Sequence, residues 1–271
     1  MLKSSVCRYE HFLTDWYERW SKILPLDIYG QDSSPRPKRP HRKAWEWCAI
    51  AQALDERQML RHGRSGCGFA VGREPLAALF ASRGAQVLAT DLDVDKSLVE
   101  WVSTGQHAAS LDALYQPRLI SRSEFDENVR YQPADMRDLP NFDQQFDFIW
   151  SSCSIEHLGG LEPGLEFVEK AMALVKPGGV AVHTTEFNVA SNDATIDTGW
   201  SVIYRRRDIE ALDYRLRKIG CGLAESDFFA GDHPFDLAFD EAPWNKEGRQ
   251  HVKLLMDGHL ATSMILIIRK A

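Results

Sequence analysis

The sequence predicts an α/β protein: an open, mostly parallel sheet with helices on both faces and a helical segment ahead of it. Three observations carry that reading. Short apolar runs alternate with stretches of helical period along the 271 residues. A glycine-rich turn near Gly72 joins one such run to a helix, the arrangement expected where the first strand of an open sheet turns into its helix. The next apolar run then closes on an acid, Asp91, nineteen positions after Gly72.

From the N-terminus, Tyr9 to Leu24 sets Phe12, Trp16, Trp20 and Leu24 at helical spacing, which predicts an amphipathic helix. Gln31 to Pro40 is rich in Asp, Ser and Pro and reads as a loop. A second helix over about Lys43 to Arg61 places Trp47, Ile50, Leu54 and Gln58 near one face, with Trp45 and Trp47 as core anchors. Residues 1–60 are therefore expected to form a helical cap, and residues 61–271 the sheet domain.

Two glycine registers compete in Gly66-Cys67-Gly68-Phe69-Ala70-Val71-Gly72. The residues before Gly66, Arg61 to Arg64, are too polar for a buried strand. The strand is therefore read as Gly66 to Val71, and the turn as Ala70 to Glu74. Leu76 to Ser82 follows as a helix, with Pro75 in its first turn, where a missing N–H costs little. Gly84 stops it, and Gln86 to Thr90 is the next strand. Backbone that comes close at the turn and a carboxylate at the following strand end together fit a nucleoside, so an adenosine-bearing cofactor is expected.

Further along, Leu98 to Leu114 reads as a helix interrupted near Ser103-Thr104-Gly105. Val129 to Pro133 is a short strand leading to Asp135, and Phe146 to Ser152 an apolar strand leading to Ile155-Glu156-His157-Leu158. A helix over Gly164 to Val175 precedes the turn Lys176-Pro177-Gly178-Gly179 and the strand Val180 to His183. Tyr204 to Ile219 is helical, with Gly220 past its end. About 228–250 lacks a helical period and reads as an insertion, and Thr262 to Ile268 is a closing strand.

The register from Gly66 to Asp91, followed by these segments in this order, resembles the class I S-adenosylmethionine-dependent methyltransferases from about Arg61 to the C-terminus. The family's usual opening is an acid, an apolar residue and GxGxG; here Gly68 stands for the acid, Ala70 for the first glycine and Glu74 for the last. The resemblance implies a Rossmann-like, seven-stranded sheet whose last strand is antiparallel. It also implies S-adenosyl-L-methionine as cofactor. By the same resemblance Asp91, with Leu92 beside it, takes the ribose, the alternative being that it caps the turn, and Asp135 with the Met136 amide takes the adenine, with Asp138 competing for that role. Ala70 and Gly72 then face the methionine moiety, and Ser151 or Ser152 lines the site. The turn Gly72-Arg73-Glu74-Pro75-Leu76 and the run Glu156-His157-Leu158-Gly159-Gly160 are similar to methyltransferases of bacterial glycan and natural-product pathways. That makes methylation of a hydroxyl on a small molecule or glycan the expected activity.

With an activated methyl group supplied by the cofactor, the protein's task is to orient an acceptor and remove a proton from it. His157 and Glu156 follow the fourth strand at the carboxyl edge of the sheet, where an open α/β fold places its crevice, and are the leading catalytic candidates. Helix-start packing and the helix dipole are the competing reasons for them. Glu186 follows His183 at the end of the fifth strand, as a substrate ligand or base or else as a loop hydrogen bonder. Asp232-His233 and Asp236 in the insertion are further acid–histidine candidates, otherwise solvated.

Composition narrows the alternatives. The net charge of −7 argues against a nucleic-acid partner. Two basic runs, Arg36 to Lys43 and Arg205 to Arg207, read as a solvated loop and a helix start. Five cysteines with no CxxC pair predict reduced thiols and no bound metal. No apolar run approaches a membrane span and the N-terminus lacks a signal-peptide core, so a cytoplasmic location is expected. A nicotinamide-dependent oxidoreductase and a non-catalytic protein of the same fold remain the rival readings.

Overall fold

The computed structural model describes residues 1–26, 40–93, 108, 110–244 and 250–271. The loop expected over Gln31 to Pro40 and most of the helix expected over Leu98 to Leu114 lie outside the described residues. Leu111–Leu114 at the end of that stretch forms a single 3-10 turn.

The strands are β1 (Ser4–Val6), β2 (Ser65–Phe69), β3 (Gln86–Asp91), β4 (Val129–Pro133), β5 (Phe146–Ser152), β6 (Val175–Asn188), β7 (Cys221–Leu223), β8 (Ser226–Asp227), β9 (Asp240–Glu241), β10 (Leu254–Met256) and β11 (His259–Lys270). The α-helices are α1 (Asp15–Ile23), α2 (Arg42–Asp55), α3 (Leu76–Ser82), α4 (Arg122–Asn128), α5 (Leu161–Ala171), α6 (Arg206–Lys218) and α7 (Pro234–Leu237).

The sheet runs β4-β3-β2-β5-β6-β11. The first five strands are mutually parallel, and β11 is antiparallel to β6 over nine residue pairs from Ala261↔Asn188 to Arg269↔Val180. With β7 pairing antiparallel to the far end of β11, the seven expected strands are present, and β11 is the one that runs backwards. Four short strands extend this plan, among them β1, which lies beside β11 and between it and β8. The N-terminal segment thus contributes a strand to the sheet as well as helices.

Alternation along β6 and β11 separates two cores. Val180, Val182, Ile265 and Ile267 face α2 and α3, meeting Ala49, Leu54, Leu76 and Phe80. Ala181, Leu266 and Ile268 face α5 and α6, meeting Leu165, Val168, Ile209 and Leu212. Both faces are buried, which is why β5 is buried at every position but its last rather than at alternate ones. Trp45 is fully buried and Trp47 nearly so, as expected of core anchors.

Strand order reverses between β2 and β5, and an open parallel sheet leaves a crevice at the carboxyl ends of its strands at such a switch point. Among the described residues no helix is long and apolar enough to cross a membrane.

Candidate active site

The crevice at the switch point is a cleft lined by the residues that immediately follow four strands. Ala70 comes after β2, Asp91 and Leu92 end β3, and Ala134 to Arg137 follow β4. Ser154, His157 and Leu158 follow β5, and Trp200 closes one side. Of the residues singled out from the sequence, Ala70, Asp91, Leu92, Asp135, Met136 and His157 meet there.

The glycine turn forms as the second register requires. Ala70 and Gly72 both take left-handed backbone, φ 47° and φ 50°, a conformation easy for glycine and costly for alanine. Residues held in this region cluster at ligand clamps, and Ala70 is the one that reaches the cleft. The Gly72 amide donates to Asp91 Oδ2 at 3.1 Å, and the Ala108 amide donates to the same oxygen at 3.1 Å. The Leu92 amide donates to Oδ1 at 2.8 Å. Asp91 is 1% exposed, so these amides hold a buried carboxylate between the turn and β3.

Across the cleft, Arg137 grips Asp135 with Nε at 3.0 Å and Nη2 at 2.8 Å. An adenine amino group reaching Asp135 would share the carboxylate with that guanidinium. Between the two acids the lining is apolar: Leu92, Ala134, Met136 and Leu158. Two carboxylates and several apolar side chains lining one cleft fit an adenosine moiety, whose ribose hydroxyls and amino group donate hydrogen bonds while its base is a flat ring.

His157 lies in the 3-10 turn Ile155–His157 after β5. Its Nδ1 is 2.8 Å from the Trp200 carbonyl oxygen, and that oxygen can only accept. Nδ1 therefore carries the proton in the neutral ring, and Nε2 is the acceptor nitrogen. The two rings lie 5.3 Å apart.

Glu156 and Glu186 are not cleft-lining residues. Both point into a buried polar chamber formed where α2 crosses the carboxyl ends of β5 and β6. Arg42 Nη2 is 2.6 Å from Glu186 Oε1, and Lys43 Nζ is 3.4 Å from Glu46 Oε1. Glu46 also accepts from Cys153 Sγ at 3.2 Å, from Thr184 Oγ1 at 3.1 Å and from Ser263 Oγ. Thr185 Oγ1 donates to Glu156 Oε2 at 3.1 Å. Burial alone would push the Glu46 carboxyl up, but Lys43 and Arg42 outweigh it and hold it below the usual range. Glu156 is pushed up by burial, with the nearby Glu186 adding to the rise and His157 opposing it.

Ser151 is fully buried, its Oγ 2.8 Å from His183 Nδ1, one layer behind the cleft. Burial lowers His183 to about 3, so its ring stays neutral in the core. In the insertion, Asp236 bonds the Tyr9 amide at 2.8 Å and Lys253 Nζ at 3.2 Å, while His233 stacks on Tyr9. These groups fasten the insertion to the N-terminal segment.

Several residues here carried no usable signal in the sequence. Trp200 sits in a loop without periodicity. Arg42 and Lys43 belong to a basic run expected to be solvated, yet Arg42 is only 4% exposed. Charge composition does not reveal burial when the partners, Glu46 and Glu186, come from distant segments.

Residues 64–183 match the family model for a methyltransferase domain. A curated relative, malonyl-[acyl-carrier protein] O-methyltransferase of Erwinia billingiae (strain Eb661), is 26% identical over 137 residues, covering 51% of this chain and 53% of the relative. The chain thus spans about half the length of that protein. Among solved structures, the chain is similar to magnesium protoporphyrin IX methyltransferase from Synechocystis PCC 6803, with 12% identity over 97% of each chain and a TM-score of 0.49. It is also similar to an S-adenosylmethionine-dependent methyltransferase from Mesorhizobium loti, with 14% identity over 82% of this chain and 98% of that one and a TM-score of 0.48. The glycine turn tied to Asp91 and strands β2 to β5 all fall within the matched residues 64–183, and this part of the chain is similar to S-adenosylmethionine-dependent methyltransferase domains.

Proposed function

We propose that the chain transfers a methyl group from S-adenosylmethionine to a hydroxyl of a small-molecule or glycan acceptor, with His157 as the general base. The observation that carries this reading is the hydrogen bond at 2.8 Å between His157 Nδ1 and the Trp200 carbonyl, at the wall of the cleft. It fixes the tautomer whose Nε2 can take a proton, which an alcohol must lose as its oxygen is alkylated.

The bound cofactor supplies an activated methyl group. Asp91 and Leu92 would hold its ribose and Asp135 with Met136 its adenine, while the turn from Ala70 to Gly72 would face the methionine end. Trp200, 47% exposed, offers a flat apolar face beside His157 against which an acceptor ring can stack. That the curated relative is an O-methyltransferase supports oxygen as the reacting atom. The acidic overall charge fits an acceptor other than nucleic acid.

The test pairs calorimetry with turnover. S-adenosylhomocysteine should bind the purified chain, and labelled methyl groups should appear on hydroxylated acceptors such as sugars and natural-product cores. Absence of binding at high ligand concentration would support a non-catalytic protein of this fold. Transfer only to amines would remove the need for His157.

A further inference from the structure

We propose that Cys153, Glu156 and Glu186 form a binding site for one divalent transition-metal ion of the zinc type. The three come from different positions along the chain: Cys153 and Glu156 from the turn after β5, Glu186 from near the end of β6. Each offers a ligand atom, and these atoms all lie within 4.8 Å of one another. All three residues are buried, at 6%, 0% and 4% exposure.

Orphaned oxygens point to a missing occupant. Glu156 Oε1 and Glu186 Oε2 are buried and have no hydrogen-bond partner among the described residues, although each carboxylate's other oxygen is engaged. A buried carboxylate oxygen left unsatisfied costs about 1 to 3 kcal/mol or more, so two in one cluster of candidate ligands are unusual unless the cluster binds something. Cys153 has left-handed backbone, φ 45°, and its Sγ lies 3.9 Å from Glu186 Oε1.

Charge is consistent with a cation there. The chamber also holds Arg42, Lys43 and Glu46, and Arg42 and Lys43 contact both Glu46 and Glu186. The two cations are thereby matched by two carboxylates, and Glu156 and Cys153 are left over. On binding the ion, Cys153 would give up to solvent the proton it donates to Glu46, and the resulting thiolate together with the Glu156 carboxylate would offset a divalent charge.

Thiol ligation selects zinc or cobalt over magnesium or calcium. Three protein ligands leave a fourth tetrahedral position open. Metal–ligand bonds of about 2.0 to 2.3 Å set neighbouring ligand atoms roughly 3.4 Å apart, so the present spacing, up to 4.8 Å, must contract by up to about 1.4 Å. The Lys43 side chain is 25% exposed, so the cluster is not wholly sealed from solvent.

The experiment uses the whole chain, stripped with a chelator and titrated with cobalt(II). Expected are uptake of one equivalent, a thiolate-to-cobalt charge-transfer band in the near ultraviolet and d–d absorption of tetrahedral strength. Zinc added afterwards should abolish both signals. Cys153→Ser should remove the charge-transfer band, and Glu156→Gln should weaken uptake at least tenfold, each with the far-ultraviolet dichroism of the native fold. The proposal is overturned if folded wild-type protein takes up no cobalt, or if the charge-transfer band persists in Cys153→Ser. The wild-type titration decides even if a variant fails to fold. Because the readout is spectroscopic, its outcome is independent of whether His157 acts as the base.

Discussion

The indole of Trp150 donates from Nε1 to Glu74 Oε1 at 2.8 Å, in a pocket where both side chains are buried. The two residues answer one departure from the family pattern with another. Gly68 stands where the family has an acid, and a Cβ there would lie 2.3 Å from Trp150 Cζ2, inside the indole's volume. Trp150 thus occupies the space beside Gly68, and Glu74, in the place of the turn's last glycine, accepts the indole N–H.

Glu74 should make the fold lose stability as pH rises from the ordinary carboxylate range to about 8. Burial raises its carboxyl to about 8, opposed by the Trp150 hydrogen bond and reinforced by Glu46 and Asp91. Below the ordinary carboxylate value both folded and unfolded chains hold the proton, and this group leaves stability unchanged. Between there and about pH 8 only the folded chain retains it, so stability falls as pH rises. Glu74→Gln keeps an acceptor for Trp150 and removes the titration. Urea unfolding at pH 5 and pH 9 should show a loss on the order of a few kcal/mol in the parent, with a flatter profile in the variant.

Gly68→Ala should destabilise by about 1 to 3 kcal/mol, the usual cost of overpacking a filled interior. Combining it with Trp150→Phe, which removes the ring atoms nearest residue 68, should recover part of that loss. Thermal unfolding of the four proteins in this cycle is the check. Strict additivity would separate the two positions.

Asp91→Asn should weaken S-adenosylhomocysteine binding about tenfold or more, since hydrogen bonds to a charged group are worth roughly 1.5 to 3 kcal/mol each. The same change loosens the turn, because the Gly72, Leu92 and Ala108 amides converge on this carboxylate. Calorimetry separates the two effects when paired with the melting temperature of the unliganded protein. Unchanged affinity would rule out this register of the turn.

His157→Ala should lower kcat by about a hundredfold or more, the scale of general-base assistance. Cofactor affinity should stay close to that of the parent. Trp200→Ala retains the carbonyl that orients His157, so it should raise the acceptor's KM more than it lowers kcat. A reversed pattern in steady-state kinetics would move the base to another side chain.

The parts of this design set by neighbours in sequence were legible from it. Leu76–Ser82 is helical as the residue pattern predicts, Asp91 ends the strand after it, and the Gly72 amide meets that acid directly. Local geometry fixes such contacts, because a strand, a turn and a helix of these lengths can return to the sheet in few ways. The acids after β5 and on β6 could be assigned to the correct edge of the sheet, but their surroundings could not. Glu186 faces Arg42, 144 residues away in sequence, and only packing of α2 onto the sheet brings them together. Asp135 was legible as a cleft residue, but its grip on Arg137 was not, since adjacent opposite charges on a loop have many arrangements.

Strand β1 joins β11 through Ser5↔Ile265 and Val6↔Met264, and the Cys7 carbonyl receives Lys253 Nζ at 2.7 Å. Trimming the first dozen residues would therefore not shave off an appendage. It would bare backbone donors and acceptors along one of the most apolar strands in the molecule and leave the buried Lys253 ammonium with Asp236 but without the Cys7 carbonyl. An exposed margin of that kind invites another molecule to pair with it. A shortened version should accordingly fail through clumping, even with every cleft residue intact.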